Sequence, residues 1–214
     1  RDYKVTGVQT CALPIWDNAY ACHDIDETIQ QTPADQIAKR LGLEDNLFQV
    51  GSTSKITLAG SGISFISSSM ENLSKFIDFR NAITPGPNKM NQGMHVKYFE
   101  SVSIEQQMNE LKKIIKPKFE LVDDILKPLK DLGLCSYEKP TGGYFYSIDS
   151  AKSNADEIVQ NCSDLGLKLL PMGSCFPYGK DPDKKNIRLA PTFPDLASLE
   201  RCVSIFKNVL KYLN

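Results

Sequence analysis

An α/β architecture in two parts is the fold class this sequence predicts, on three observations. Short apolar runs alternate with helical stripes between Ala34 and Glu100, as in a layered α/β sheet. A long, charged helical stretch then runs from Val102 to about Leu132. Beyond it, one alternating strand, two helical stripes and a short apolar strand describe a smaller α+β part. A chain of 214 residues can bury a sizeable core in one large domain or two small ones.

Taken in order, residues 34–43 carry a stripe of Ile37, Ala38 and Leu41, with Thr32-Pro33 as a start signal and Gly42 near the stop. Asn46 to Val50 reads as a buried strand ending at a hydroxyl-rich turn, and Gly60-Ser61-Gly62 as a bend. Ile63 to Ile66 reads as a second buried strand. Helix is expected from Met70 to Asn81 and, after the Thr84-Pro85-Gly86-Pro87 break, from Asn88 to Glu100. In the long helix, Ile114, Ile115, Leu121, Ile125 and Leu129 are expected to form the apolar face, while Pro117 and Pro128 predict kinks or breaks. Then follow a strand over Gly142 to Ile148, a helix over Ala155 to Leu165 and a strand over Ile187 to Ala190. A closing helix over Leu196 to Leu213 turns Leu199, Val203, Phe206 and Leu210 inward.

Composition bounds the function class. A net charge of −1 and a pI near 6.2 give no bulk attraction to nucleic acid or membrane surfaces. The apolar runs are far shorter than a bilayer span. Six cysteines without a CxxC spacing, and no signal-peptide layout, read as free thiols in a reducing, cytoplasmic setting. With two histidines, His23 and His95, a zinc site is not expected.

Residues 1–15 resemble the translated read-through of a sequencing adapter and show neither strand alternation nor a helical stripe, so they are expected to be non-native. The other reading is a genuine N-terminal strand with Val8 to Trp16 half-buried. The domain expectation is residues 1–15 as artefact, 16–101 as the C-terminal part of a large domain, and 102–214 as linking helix and small domain.

The chemistry is concentrated in three places. Asp17-Asn18-Ala19-Tyr20 sets an acid and a phenol close together; Lys55 follows Ser52-Thr53-Ser54; Arg188 sits in Ile187-Arg188-Leu189-Ala190-Pro191. An amine at a strand-ending turn can condense with an aldehyde, and neighbouring hydroxyls and amides can cradle a phosphate. A carboxylate can keep a pyridine nitrogen protonated, and a phenol can hydrogen-bond to a ring oxygen. Each also has a plain reading. Lys55 could be a solvated loop lysine, and Asp17 and Tyr20 an Asx-turn followed by a core tyrosine. Arg188, costly inside an apolar strand unless paired, calls for a carboxylate from substrate or from the protein itself.

Together these motifs resemble the fold-type I, pyridoxal-phosphate-dependent aminotransferases of class I/II, over essentially all of residues 16–214. The stretches Trp16 to Tyr20, Gly51 to Gly62, Gly86 to Gln92 and Phe176 to Pro182 look closer to the bacterial-type aspartate aminotransferases. The resemblance implies the C-terminal part of that large domain, with a mixed and mostly parallel sheet, plus the small C-terminal domain. It implies pyridoxal 5′-phosphate held by Asp17, Tyr20, Ser52, Ser54 and Lys55, with Lys55 catalytic and Arg188 on the substrate α-carboxylate. Amino-acid and 2-oxo-acid substrates, aspartate and 2-oxoglutarate among them, and a homodimeric parent are implied as well. Another enzyme of this fold, such as a lyase or decarboxylase, or a non-catalytic effector module remains the alternative.

Two departures from the wider family stand out. Many members place a phosphate-binding arginine shortly after the lysine, where this chain has Gly62 and Ile63; Lys89 is a candidate source of charge recognition elsewhere. The family's first half is also missing, so the chain is expected to be inactive alone and to expose strand edges and apolar surface.

Overall fold

The computed structural model describes residues 14–26, 28, 32–171, 173, 176, 178 and 180–214. Residues 1–13 of the expected artefact lie outside them, as do Cys11, Cys175, Pro177 and Gly179. The described residues form two compact units, one from within residues 1–22 and 27–109, the other from within 23–26 and 110–214.

In the first unit a three-stranded mixed sheet has the order β1-β2-β3. Strand β1 (Ile15–Asp17) runs parallel to β2 (Phe48–Ser52), with Ile15 opposite Phe48 and Asp17 opposite Val50. Strand β3 (Ser64–Ser67) returns antiparallel, with Gly51 opposite Phe65 and Ser52 opposite Ser64. Ile15, set aside in the sequence reading, is therefore a strand residue. Helices α1 (Ala34–Leu41), α2 (Met70–Ile83) and α3 (Lys89–Phe99) surround these strands in sequence. Each boundary has a local cause. Gly42 adopts φ 65° and closes α1 with a left-handed cap. The Ser69 hydroxyl accepts from the Asn72 amide at the start of α2, and Asn88 Oδ1 accepts from the Met90 and Asn91 amides at the start of α3.

Several expectations are corrected here. The strand expected at 46–50 starts at Phe48, because Glu44–Asn46 forms a 3₁₀ turn. β3 lies at an edge of the sheet and is largely exposed rather than buried. In the α1 stripe only Ala38 is buried; Ile37 and Leu41 face outward. Among the described residues this unit buries just two apolar side chains, Ala38 and Ile56, while Trp16, Phe65, Met70, Phe79, Ile83 and Met90 are exposed. Polar pins do much of the remaining work. Buried Asn72, for example, donates from Nδ2 to Asp45 O at 2.8 Å and to Ser68 Oγ at 3.1 Å.

The second unit has a conventional apolar core. Strands β4 (Cys135–Ser136), β5 (Tyr146–Ser150), β6 (Leu170–Pro171) and β7 (Asn186–Leu189) form an antiparallel sheet in the order β4-β5-β7-β6. Tyr146 pairs with Leu189 and Ile148 with Ile187, and all four are buried, so one face of this sheet is core. Helices α4 (Ile104–Asp131), α5 (Ala155–Asp164) and α6 (Leu196–Leu213) supply the rest. The boundary between the units falls within α4.

Helix α4 continues through Pro117 and Pro128, so the expected breaks do not occur. Each proline forfeits one backbone hydrogen bond, but the buried stripe Ile115, Phe119, Val122, Leu126 and Leu129 holds the segment helical. Ile114, assigned to the apolar face from sequence, is exposed. The Tyr146 hydroxyl donates to Phe119 O at 2.8 Å and pins strand to helix. Buried Lys118 donates to Thr192 O at 2.6 Å. The strand expected at 142–148 begins at Tyr146, with Gly142 forming an isolated bridge to Asp24. Helix α6 spans the expected residues, and Leu199, Val203, Phe206 and Leu210 are all buried. Asp195 caps it by accepting from the Ser198 amide at 2.8 Å, which holds its carboxyl below the usual carboxylate range.

Phe206→Ala is expected to cost about 3–5 kcal/mol of stability in the second unit, measured as lost hydrogen-exchange protection of the α6 amides. Burial pushes the Cys162 thiol from 9.0 up to about 11. The folded state therefore holds a proton that the unfolded chain releases, so this contribution is intact below pH 9.0 and is lost as pH rises toward about 11. Unfolding titrations across that window should show a smaller alkaline loss in Cys162→Ala than in the native sequence. The exposed apolar side chains of the first unit should make the isolated chain self-associate in sedimentation velocity.

Candidate active site

The first unit gathers five of the six candidate residues. Strands β1 and β2 are parallel, so their carboxyl ends lie at the same edge of the sheet, where open α/β sheets bind ligands. Asp17 is in register with Val50, and the Asn18 amide donates to Val50 O at 2.7 Å. Ser52 lies two residues beyond Val50, so the alternation of a strand sets Asp17 and Ser52 on one face. Asp17 is exposed and its Oδ1 accepts from the Ala19 amide at 3.2 Å, an Asx-type turn that leads the chain to half-buried Tyr20. The plain reading of Asp17 as a turn residue is thus correct locally, and its carboxylate still faces solvent.

After Ser52 the chain enters one helical turn. The Ile56 and Thr57 amides both donate to Thr53 O, at 2.9 and 2.8 Å. Lys55 sits in the middle of this turn with an exposed side chain, while Ile56 beside it is buried. Ser52 Oγ accepts from the Ser54 amide at 3.1 Å and donates to Ser54 Oγ at 2.9 Å, placing two hydroxyls next to the lysine.

Gly62 has a steric explanation. A Cβ at this position would come within 2.7 Å of Ser54 N and Cα. The backbone of residue 62 lies directly against the lysine turn, so a side chain such as arginine does not fit at this position. Lys89, the candidate for charge recognition elsewhere, is exposed at the start of α3, with Nζ 3.5 Å from Gln92 Oε1.

The sequence reading missed His95. This buried α3 residue places Nε2 at 2.9 Å from Thr53 Oγ1 and 2.8 Å from Thr57 Oγ1, and its Nδ1 at 2.8 Å from Asn91 O. The signal was present as Thr53-x-Lys55-x-Thr57, hydroxyls two residues either side of the lysine. A cavity of about 350 Å³ adjoins it, lined by Thr57, Leu58, Met94, His95, Tyr98 and Gln107.

Arg188 belongs to the second unit. Its strand neighbours Ile187 and Leu189 point into the core, so Arg188 emerges on the other face, opposite Ser147 and Leu170. Its guanidinium lies 4.6 Å from the centroid of the Phe145 ring. Among the described residues no acid pairs with it. It lines a largely apolar cavity of about 320 Å³ with Leu167, Leu169, Phe193, Leu199 and Cys202.

The donor set of the first unit suits a pyridine aldehyde bearing a phosphate. It offers hydroxyls and amides for the phosphate, an amine for the aldehyde, a carboxylate for the ring nitrogen and a phenol for the ring oxygen, all within one unit. At the lysine turn itself, the groups offered to a phosphate are hydroxyls and backbone amides.

Comparison with known proteins identifies a family. The sequence profile described as aspartate amino-transferase matches residues 5–211. An aspartate aminotransferase of Corynebacterium glutamicum is 35% identical over 189 residues, covering 87% of this chain and 44% of that protein. The crystal structure of a candidate aminotransferase from Corynebacterium diphtheriae superposes with a TM-score of 0.85 at 36% identity, over 93% of this chain and 50% of that one. At 18% identity, an alpha-aminoadipate aminotransferase from Thermus thermophilus, complexed with N-(5′-phosphopyridoxyl)-L-leucine, shares the fold with a TM-score of 0.79, over 92% of this chain and 50% of that one. The chain thus spans about half the length of the proteins it matches.

Gly62→Ala should force the lysine turn away from its return strand, at a cost of about 1–3 kcal/mol. Faster hydrogen exchange at the Ile56 and Thr57 amides, with α2 unchanged, is the expected result.

Proposed function

This chain belongs to the aspartate aminotransferase family, and we propose that it carries the lysine-bearing part of a pyridoxal-phosphate site. We further propose that the whole protein, as a homodimer, exchanges an amino group between aspartate and 2-oxoglutarate. The observation that carries this reading is the parallel register of β1 and β2, with Asp17 and Ser52 on one face at the carboxyl edge and Lys55 in the turn that follows. The name of the Corynebacterium glutamicum relative supports the choice of aspartate.

When bound, pyridoxal phosphate supplies an aldehyde and an electron-withdrawing ring that labilise the bonds at the substrate Cα. The roles of this chain's residues follow from their chemistry. Asp17 would hold the proton on the ring nitrogen, and Tyr20 would donate to the ring oxygen. Ser52 and Ser54, with the amides of the turn, would bind the phosphate. The Lys55 amine would hold the cofactor at its aldehyde carbon and would move a proton to and from the substrate Cα. Arg188 would hold the substrate α-carboxylate through a two-pronged contact and fix which Cα bond is broken.

The test is reductive trapping. Whole protein incubated with pyridoxal phosphate and borohydride should yield a phosphopyridoxyl group on the peptide containing Lys55, and Lys55→Ala should lose both that label and turnover. Label confined to other lysines would contradict the assignment. Arg188→Lys should raise KM for the amino acid roughly 10- to 100-fold, since a lysine cannot reproduce a paired guanidinium contact. A donor panel in which aspartate is a poor substrate would overturn the choice of aspartate alone.

A further inference from the structure

We propose that His95 is a positioning residue for Lys55, fixing the lysine turn through an imidazole that carries a proton on Nδ1. The proposal rests on the role given to Lys55 above. Thr53 and Thr57 flank Lys55 at equal spacing, and both hydroxyls reach the same imidazole nitrogen, at 2.9 and 2.8 Å. Thr53 and His95 are 6% and 4% exposed, so water cannot readily substitute for either partner.

One proton is fixed by its partner. Asn91 O can only accept, so Nδ1 carries a hydrogen and donates to it across 2.8 Å. Nε2 is the nitrogen that both threonine hydroxyls reach. Thr53 Oγ1 also accepts from the Ile63 amide at 3.0 Å, so one hydroxyl ties the turn to the return strand and to α3. Thr57 Oγ1 donates to Thr53 O at 3.1 Å, or shares its proton with Nε2. A second brace comes from Gln107, whose Nε2 donates to Ile56 O at 3.2 Å while its Oε1 accepts from Tyr98 at 2.6 Å. The turn is thereby fixed at Thr53, Ile56 and Thr57, leaving the Lys55 side chain as its exposed product. An amine that must meet an aldehyde and then a Cα proton gains from a backbone that does not move between the two tasks.

The experiment compares whole protein carrying His95, His95→Gln and His95→Phe. The readouts are the rate of borohydride-trapped phosphopyridoxyl labelling at Lys55, with Lys89 and Lys97 as internal references, and the melting temperature. His95→Phe should slow labelling at Lys55 by about tenfold or more per folded molecule, with the reference lysines unchanged. His95→Gln should recover most of the rate, because its amide can donate to Asn91 O and its oxygen can accept from Thr53. Equal Lys55 rates in all three, even with an earlier melt in the phenylalanine variant, would overturn the role. Should the phenylalanine variant not fold, Thr57→Val removes one hydroxyl and is expected to slow the same labelling. Nitrogen-15 NMR of the native protein should show His95 carrying a proton on Nδ1; a proton on Nε2 alone would also overturn the proposal. No label at Lys55 in the native protein would defeat the cofactor reading, and this role with it, whereas equal labelling across variants defeats this role alone.

Discussion

The pairing of β1 with β2 is the constraint from which the candidate site follows. Two strands running the same way end at the same edge, and the register that sets Asp17 opposite Val50 places Ser52 on the same face as Asp17. A one-residue slip would turn Asp17 to the opposite face. The return strand β3 then closes the turn that carries Lys55. The Thr53 amide donates to Ile63 O at 2.9 Å, the Ile63 amide returns to Thr53 Oγ1 at 3.0 Å, and Gly62 lies against Ser54 too closely for any side chain. Reactive groups of several kinds are thus held by backbone geometry, with few buried apolar contacts.

The two units reach their stability by different means. The second has a continuous core in which α4, α5 and α6 cover one face of an antiparallel sheet, and the opposite face is free to present Arg188. The first depends on polar pins such as Asn72 and His95, and leaves large apolar side chains on its surface. Such a surface is stable in water only when covered. A family whose matched members are about twice this chain's length offers one way for that cover to arise in the whole protein.

Elements defined by local signals were legible in the sequence. Helix α6 could be read because its apolar residues recur at helical spacing between the Asp195 cap and the chain's last residues, and α2 and α3 because proline and glycine separate them. The long helix was read less well. Ile114 fits a helical stripe on paper and is exposed, while Leu121 and Ile125 pack at the margin of the core; the buried stripe is set by which face meets the sheet, and that puts Phe119, Val122 and Leu126 at its centre. Pro117 and Pro128 looked like interruptions because their local cost is visible in sequence and the packing that offsets it is not. At the site, Lys55 with its serines was legible from spacing, whereas His95 was not. It lies far along the chain, and only folding brings it to Thr53 and Thr57.

A crystal structure of the whole protein soaked with pyridoxal phosphate would test the central assignment most directly. Continuous density from Lys55 Nζ to the cofactor's aldehyde carbon, with Asp17 at the ring nitrogen and Ser52 at the phosphate, is the expected result. Cofactor density seated elsewhere, or a ring nitrogen turned away from Asp17, would contradict it.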